Sequence, residues 1–148
     1  MKLERYQFIG SKNLTVFEFI SEGPKGKIQK IVQFSETNMN GAFNLAFGDK
    51  NIETGELDDR AVSNNGDINK ILATVVASVL VFTERNYDAL IFAKGSTKAR
   101  TRIYRMGISK YYDEISSQFE LFGLLNDEWE PFQKNKDYEG FLAKRKII

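Results

Sequence analysis

Asp67–Arg85 (DINKILATVVASVLVFTER) is the stretch whose reading decides the fold. Ile68, Ile71, Leu72, Val75, Val76, Val79 and Phe82 recur three and four residues apart, which is the spacing of one helix face. Leu80, Val81, Ala73 and Ala77 carry the apolar character around the sides, so this helix is expected at the centre of the core. Asp67 stands where a capping carboxylate accepts the free amides of a first turn. The many β-branched residues lower intrinsic helix propensity, so burial has to hold the segment helical.

Upstream of this helix the sequence reads as sheet. Thr15–Ser21 (TVFEFIS) is β-branched and aromatic, and Lys27–Phe34 (KIQKIVQF) places Ile28, Val32 and Phe34 on one face. Gly23, Pro24 and Gly26 between them predict the turn of a half-buried hairpin. Ala42–Phe47 alternates Phe43, Leu45 and Phe47 with Ala42, Asn44 and Ala46, a period of two. Short strands are also expected at Tyr6–Ile9 and Leu57–Val62.

Downstream, Asp88–Lys94 (DALIFAK) predicts a buried strand. Gly95-Ser96-Thr97 predicts a tight exit, with Ser96 or Thr97 capping a second helix to about Tyr111. Gly107 inside that helix marks close packing, since glycine there costs about 1 kcal/mol against alanine. Phe119–Leu125 and Trp129–Phe132 form a second hairpin, with Pro131 pointing to an edge strand. Tyr138–Ile147 fits a helix and a closing strand equally well. Strands come first and two substantial helices, at about 67–85 and 97–111, interrupt them. The expected fold class is α+β, a mostly antiparallel curved sheet packed by two main helices, with residues 1–148 as a single domain.

The 148 residues contain no Cys and no His. That removes Cys or His metal sites, Ser-His-Asp triads, Cys nucleophiles, disulfides and imidazole bases. No catalytic residue, metal ligand or cofactor is assigned from the sequence. Asp58-Asp59, with Glu53 and Glu56 upstream, reads as an acidic loop rather than a magnesium site. Met1–Tyr6 alternates charge without an apolar core, and Ala73–Phe82 is half the length of a spanning helix, which needs about 20 residues. A cytoplasmic protein with no membrane partner is expected.

The net charge is only +1, but the charge is segregated along the chain. Lys94, Lys98, Arg100, Arg102, Arg105 and Lys110 fall in a stretch to Tyr112 without an acid. Asp113, Glu114, Glu120, Asp127, Glu128 and Glu130 then fall in a stretch to Gln133 without a base. On a helix Lys98, Arg102 and Arg105 share an arc of about 60°, with Ala99, Ile103, Met106 and Gly107 roughly opposite. Arg100 projects near the apolar side, where it needs a carboxylate, a backbone carbonyl or a bound anion.

A strand end, a glycine, two hydroxyls and a basic helix start together have the layout of an anion or phosphate site. The spacing of a P-loop is absent. The candidate binding residues are Lys94, Ser96, Thr97, Lys98, Arg100, Arg102, Tyr104 and Arg105. The bland reading is a capped helix whose solvated basic face pairs with the acidic block after Asp113. Stacking aromatics beside the charge would favour nucleic acid, and Tyr104, Tyr111 and Tyr112 are the candidates. Trp129 and Phe132 beside Glu128 and Glu130 could instead form a partner site, although a strand with one packed face accounts for them.

Several runs together resemble a family of small single-domain bacterial proteins of unknown function. They are Phe19–Lys27 (FISEGPKGK), Asn44–Asp49 (NLAFGD), Thr54–Asp59 (TGELDD), Asn64–Asp67 (NNGD), Phe92–Thr97 (FAKGST), Ala99–Ile108 (ARTRIYRMGI) and Trp129–Phe132 (WEPF). The resemblance covers nearly the whole chain and implies no activity. The first 85 residues are more loosely similar to the PUR-type single-stranded nucleic-acid-binding fold, in which four strands precede a helix; the second half departs from that order. The leading expectation is a binding module for single-stranded nucleic acid or another phosphate-bearing ligand. The alternatives are a protein-interaction or homodimerisation module using the two charge blocks, and a His-free phosphodiesterase or ribonuclease centred on Tyr104 and Arg100.

Overall fold

The hairpin expected around Pro24 forms, as β2 (Val16–Gly23) paired antiparallel with β3 (Gly26–Glu36). The computed structural model describes residues 4–58 and 63–147. Within them β1 is Ile9–Gly10, β4 Ala42–Lys50, β5 Leu57–Asp58 and β6 Leu90–Ala93. Later come β7 (Phe119–Leu125), β8 (Glu128–Pro131) and β9 (Gly140–Arg145). The helices are α1 (Ile68–Arg85), α2 (Lys98–Lys110) and the short α3 (Tyr112–Ser116).

Among the described residues nine strands form one open sheet in the order β1-β2-β3-β4-β6-β9-β7-β8, with β5 also pairing β4. Pairing is antiparallel except between β4 and β6. Parallel neighbours need a crossover, and α1 provides it. The architecture is α+β, and no described helix is long and apolar enough to cross a membrane.

Residues 138–147 had two equal readings, and the sheet selects the strand. β9 lies between β6 and β7, pairing Phe92 with Leu142 on one side and Leu142 with Phe122 on the other. Its Phe141-Leu142-Ala143 core has apolar side chains for both faces, as an internal strand requires. The strand expected at Tyr6–Ile9 shrinks to Ile9–Gly10, because Tyr6 is drawn inward, its amide donating to Thr74 Oγ1 at 2.9 Å. Of the strand expected at Leu57–Val62, residues 59–62 lie outside the described ones, as does Asp59 of the acidic loop.

Registers define two faces. Phe17, Val32, Phe47 and Phe19 share the face under the helices with Leu45, Ile91, Ala93 and Phe141. Phe82 of α1 stacks on Phe34 with ring centroids 4.2 Å apart and meets Phe43 edge-on. Gly107 of α2 packs against Leu72 of α1, where an added Cβ would lie 3.0 Å from the leucine. The close packing expected at that glycine is therefore present. Between α1, α2 and the β6-β9-β7 part of the sheet lies an apolar cavity of about 80 Å³.

Asp67 does not cap α1 through its side chain, contrary to expectation. Its Oδ2 accepts from the Tyr6 hydroxyl and from Ser21 Oγ, each at 2.5 Å, which turns the carboxylate away from the helix amides. Asn65 continues this tie: its Oδ1 accepts from the Lys25 amide at 2.7 Å, and its Nδ2 donates to Gly26 O at 3.0 Å. The loop before α1 is thus sewn to the first hairpin. Burial and the Asp67 carboxylate push the Tyr6 hydroxyl above its ordinary value, so it remains a donor.

Candidate anion-binding cleft

β6 ends at Ala93, and the chain must reverse within four residues to lay α2 across the inner face of the sheet. Gly95 makes the reversal possible. A Cβ there would lie 2.4 Å from both Arg100 Cβ and the Thr101 nitrogen. The Gly95 amide donates to Thr101 Oγ1 at 3.0 Å, which closes the turn. Thr97, in extended backbone, is the cap that the sequence predicts, its Oγ1 accepting from the Arg100 amide at 3.2 Å. The amides of Lys98 and Ala99 belong to the first turn and have no intrahelical acceptor. Both residues are exposed.

Lys94, Ser96, Thr97, Lys98, Arg102 and Arg105 line one cleft, with Asp137, Tyr138 and Glu139 on its other side. Six of the eight candidate residues therefore come together. Lys94, Lys98 and Arg102 are exposed and make no ion pair among the described residues. Arg105 is paired with Asp137. Glu139 Oε1 accepts from the Asn126 amide at 3.2 Å.

Arg100 and Tyr104 are elsewhere, 8% and 7% exposed. β6 pairs with Ala42–Leu45 of β4 and β5 with Asp49–Lys50, so the edge of β4 between them has no strand neighbour among the described residues. Arg100 Nη2 donates to Phe47 O there, and the Tyr104 hydroxyl donates to Leu45 O at 3.3 Å. Of the three partners considered for Arg100, the structure selects the backbone carbonyl. These two side chains thus satisfy buried carbonyls on this edge of β4. The residues on which a phosphodiesterase reading would rest are occupied in this way.

Among the described residues no carboxylate of the acidic stretch forms an ion pair with the basic one. Arg105 finds its carboxylate at Asp137, while Glu130 pairs with Lys136 at 2.8 Å and accepts from the Tyr138 hydroxyl at 2.8 Å. Those two donors hold the Glu130 carboxyl below its ordinary value. Burial and the Glu130 carboxylate hold the Tyr138 hydroxyl above its own. Among the described residues no group of three or more acidic side chains is placed to hold a metal ion.

The tyrosines suggested for stacking are committed to packing. The Tyr111 hydroxyl donates to Asn69 O at 3.0 Å, and Tyr112 stacks on Phe132 with centroids 5.8 Å apart. Trp129 and Phe132, adjacent in one sequence motif, separate: Phe132 is 6% exposed in the core, whereas Trp129 is 42% exposed. Trp129 meets Phe92, at a centroid distance of 5.7 Å, on the face away from the helices. The alternation of Phe92 with buried Ile91 and Ala93 was the signal for an outward aromatic, and reading Asp88–Lys94 as a buried strand concealed it.

Residues 2–146 match the family described as "Family of unknown function (DUF6934)", and the chain belongs to that family. No curated protein and no solved structure matches it.

Proposed function

We propose that this member of a family of unknown function is a binding module for a phosphate-bearing ligand, held at the cleft formed by Lys94–Thr97 and the first turns of α2. One observation carries the reading. Lys94, Lys98 and Arg102 converge on one concavity with the capped start of α2, and no carboxylate among the described residues forms an ion pair with them. Unsatisfied amides and the positive end of a helix favour an anion there, and flexible ammonium groups suit a phosphate of variable position. Asp137 tethers Arg105 at the rim and keeps it beside the site. Arg100 and Tyr104 support the cleft from behind, through β4, and do not contact the ligand.

The test is a titration with inorganic polyphosphate at low and moderate salt. Binding that weakens as salt rises is the expected result, because each contacted phosphate releases counterions. The Lys98→Glu/Arg102→Glu double variant should bind at least tenfold more weakly with unchanged folding. An affinity that is undetectable at low salt, or indifferent to salt, refutes the reading.

A further inference from the structure

On the face of the sheet turned away from the helices, two rows across β6, β9, β7 and β8 are mostly apolar, and Lys144 and Glu120 stand in the row beyond them. Register aligns Phe92, Leu142, Phe122 and Pro131 across these four strands, and sets Gly140, Leu124 and Trp129 in the next row. Phe92 and Trp129 stand on β6 and β8 with β9 and β7 between them, yet their rings approach to 5.7 Å at 59°. Gly140, the residue of β9 in Trp129's row, has no side chain and is buried. The pair remains partly open to solvent, with Trp129 42% exposed.

One residue, Lys94, links this aromatic pair on the outer face to the basic cleft at the start of α2. Lys94 follows Phe92 by two residues, a separation of about 7 Å along a strand. A Cβ on Gly140 would lie 3.8 Å from Lys94 Cβ. Lys94 therefore borders both the aromatic pair and the cleft that holds Lys98 and Arg102.

From this juxtaposition we infer that the ligand is single-stranded nucleic acid: bases stack on Trp129 and Phe92 while the backbone runs past Lys94 to Lys98 and Arg102. The inference rests on the phosphate-binding reading and adds the base-recognising half of the site. Charge complementarity selects this occupant. A purely apolar partner has no use for the row of unpaired cations at the border, and a bare anion has none for the rings. Aromatic stacking beside a basic track binds single strands with little sequence preference, because every base has a π-face. A duplex has its bases stacked already and would contact the cations only.

Trp129 is the sole tryptophan, so its emission reports on the proposed contact without a label or a variant. The experiment titrates the intact chain with an oligothymidylate of about 12 nucleotides, a length within the range of single-strand-binding sites. Inorganic polyphosphate serves as the base-free comparison. The oligonucleotide should bind more tightly than polyphosphate and quench Trp129, and polyphosphate should leave the emission unchanged. Trp129→Ala and Phe92→Ala should each lower oligonucleotide affinity about tenfold, the equivalent of stacking one base, with polyphosphate affinity unaltered. Trp129→Phe should retain most of the binding.

Equal affinities with unquenched emission would overturn the inference and leave the phosphate reading standing. Failure of both ligands to bind would overturn both. A concentration-dependent dimer in light scattering with Trp129 emission already shifted to the blue would show a second copy on this face, and would also overturn the inference. Should Trp129→Ala fail to fold, the quenching of the unaltered chain decides the matter.

Discussion

The two halves of the sheet are alike beneath the helices and unlike on the opposite face. In the β2-β3-β4 half, Glu18 and Lys50 come from the strands flanking β3 and meet at 2.6 Å, beside buried Ile31. Gln29 and Gln33 lie on the same face, with the exposed Ile9 and Ile20 as single aliphatic side chains among the polar ones. In the β6-β9-β7-β8 half Trp129 and Phe92 meet on this face and remain partly exposed themselves. One half scatters single aliphatic side chains among charged and amide groups, and the other brings two aromatic rings together. An aromatic patch bordered by charge is the kind of surface that marks a binding site, and the proposed binding site is placed on the second half for that reason.

The largest effect should come from breaking what the halves share. Phe82→Ala removes the ring stacked on Phe34 and against Phe43, and should cost about 3–5 kcal/mol in urea unfolding. Loss through a single transition would show that both halves depend on one core; two separated transitions would refute that.

Next comes the seam between the halves. Arg100→Met leaves Phe47 O buried without its donor and should cost about 1–3 kcal/mol. Polyphosphate affinity per folded molecule should hold, whereas Lys98→Glu should weaken binding and change stability by less than about 0.5 kcal/mol. If Arg100→Met removed binding with stability intact, Arg100 would belong to the site after all.

At the Glu18–Lys50 ion pair, Lys50→Met should change stability by no more than about 1 kcal/mol, with the difference shrinking in high salt. A larger, salt-independent loss would show that the pair acts by packing.

The smallest effect is one of pH. Lys136 and Tyr138 hold the Glu130 carboxyl below its ordinary value, so folding favours its ionised form. The stabilisation is complete above about pH 4.3, the ordinary value of a glutamate, and disappears as pH falls through the lower folded value. The stability difference between the natural chain and Glu130→Gln should be constant near neutrality and vanish on acidification. A difference that grew on acidification would contradict this linkage.

The legibility of the chain followed the range of the interactions. The periodicity of Asp67–Arg85, the turn at Pro24 and the Thr97 cap depend on neighbours within a few residues, and all three were readable. The strand identity of 140–145 was not, because the segment carries apolar residues for two faces and only its place between β6 and β7 decides between helix and strand. Asp67 had the right chemistry for a cap, yet Tyr6 and Ser21, 61 and 46 residues distant, claimed its carboxylate. The basic block was visible, but its division into cleft-lining and buried members was not. Arg100 and Arg102 are two residues apart, and the helix turns one inward and leaves the other in the cleft.

The sequence by itself determined the fold class, the main elements and the chemistry left to a chain without Cys or His. These depend on composition and on short-range spacing, which folding does not alter. Tertiary structure alone decided that Arg105 pairs with Asp137 rather than with the acidic block, that Arg100 and Tyr104 donate to carbonyls of β4, and that Phe92 meets Trp129. Each of these joins residues more than thirty positions apart, and each was fixed by strand order. Strand order depends on burying the whole inner face at once, a requirement that no local segment of the sequence can express.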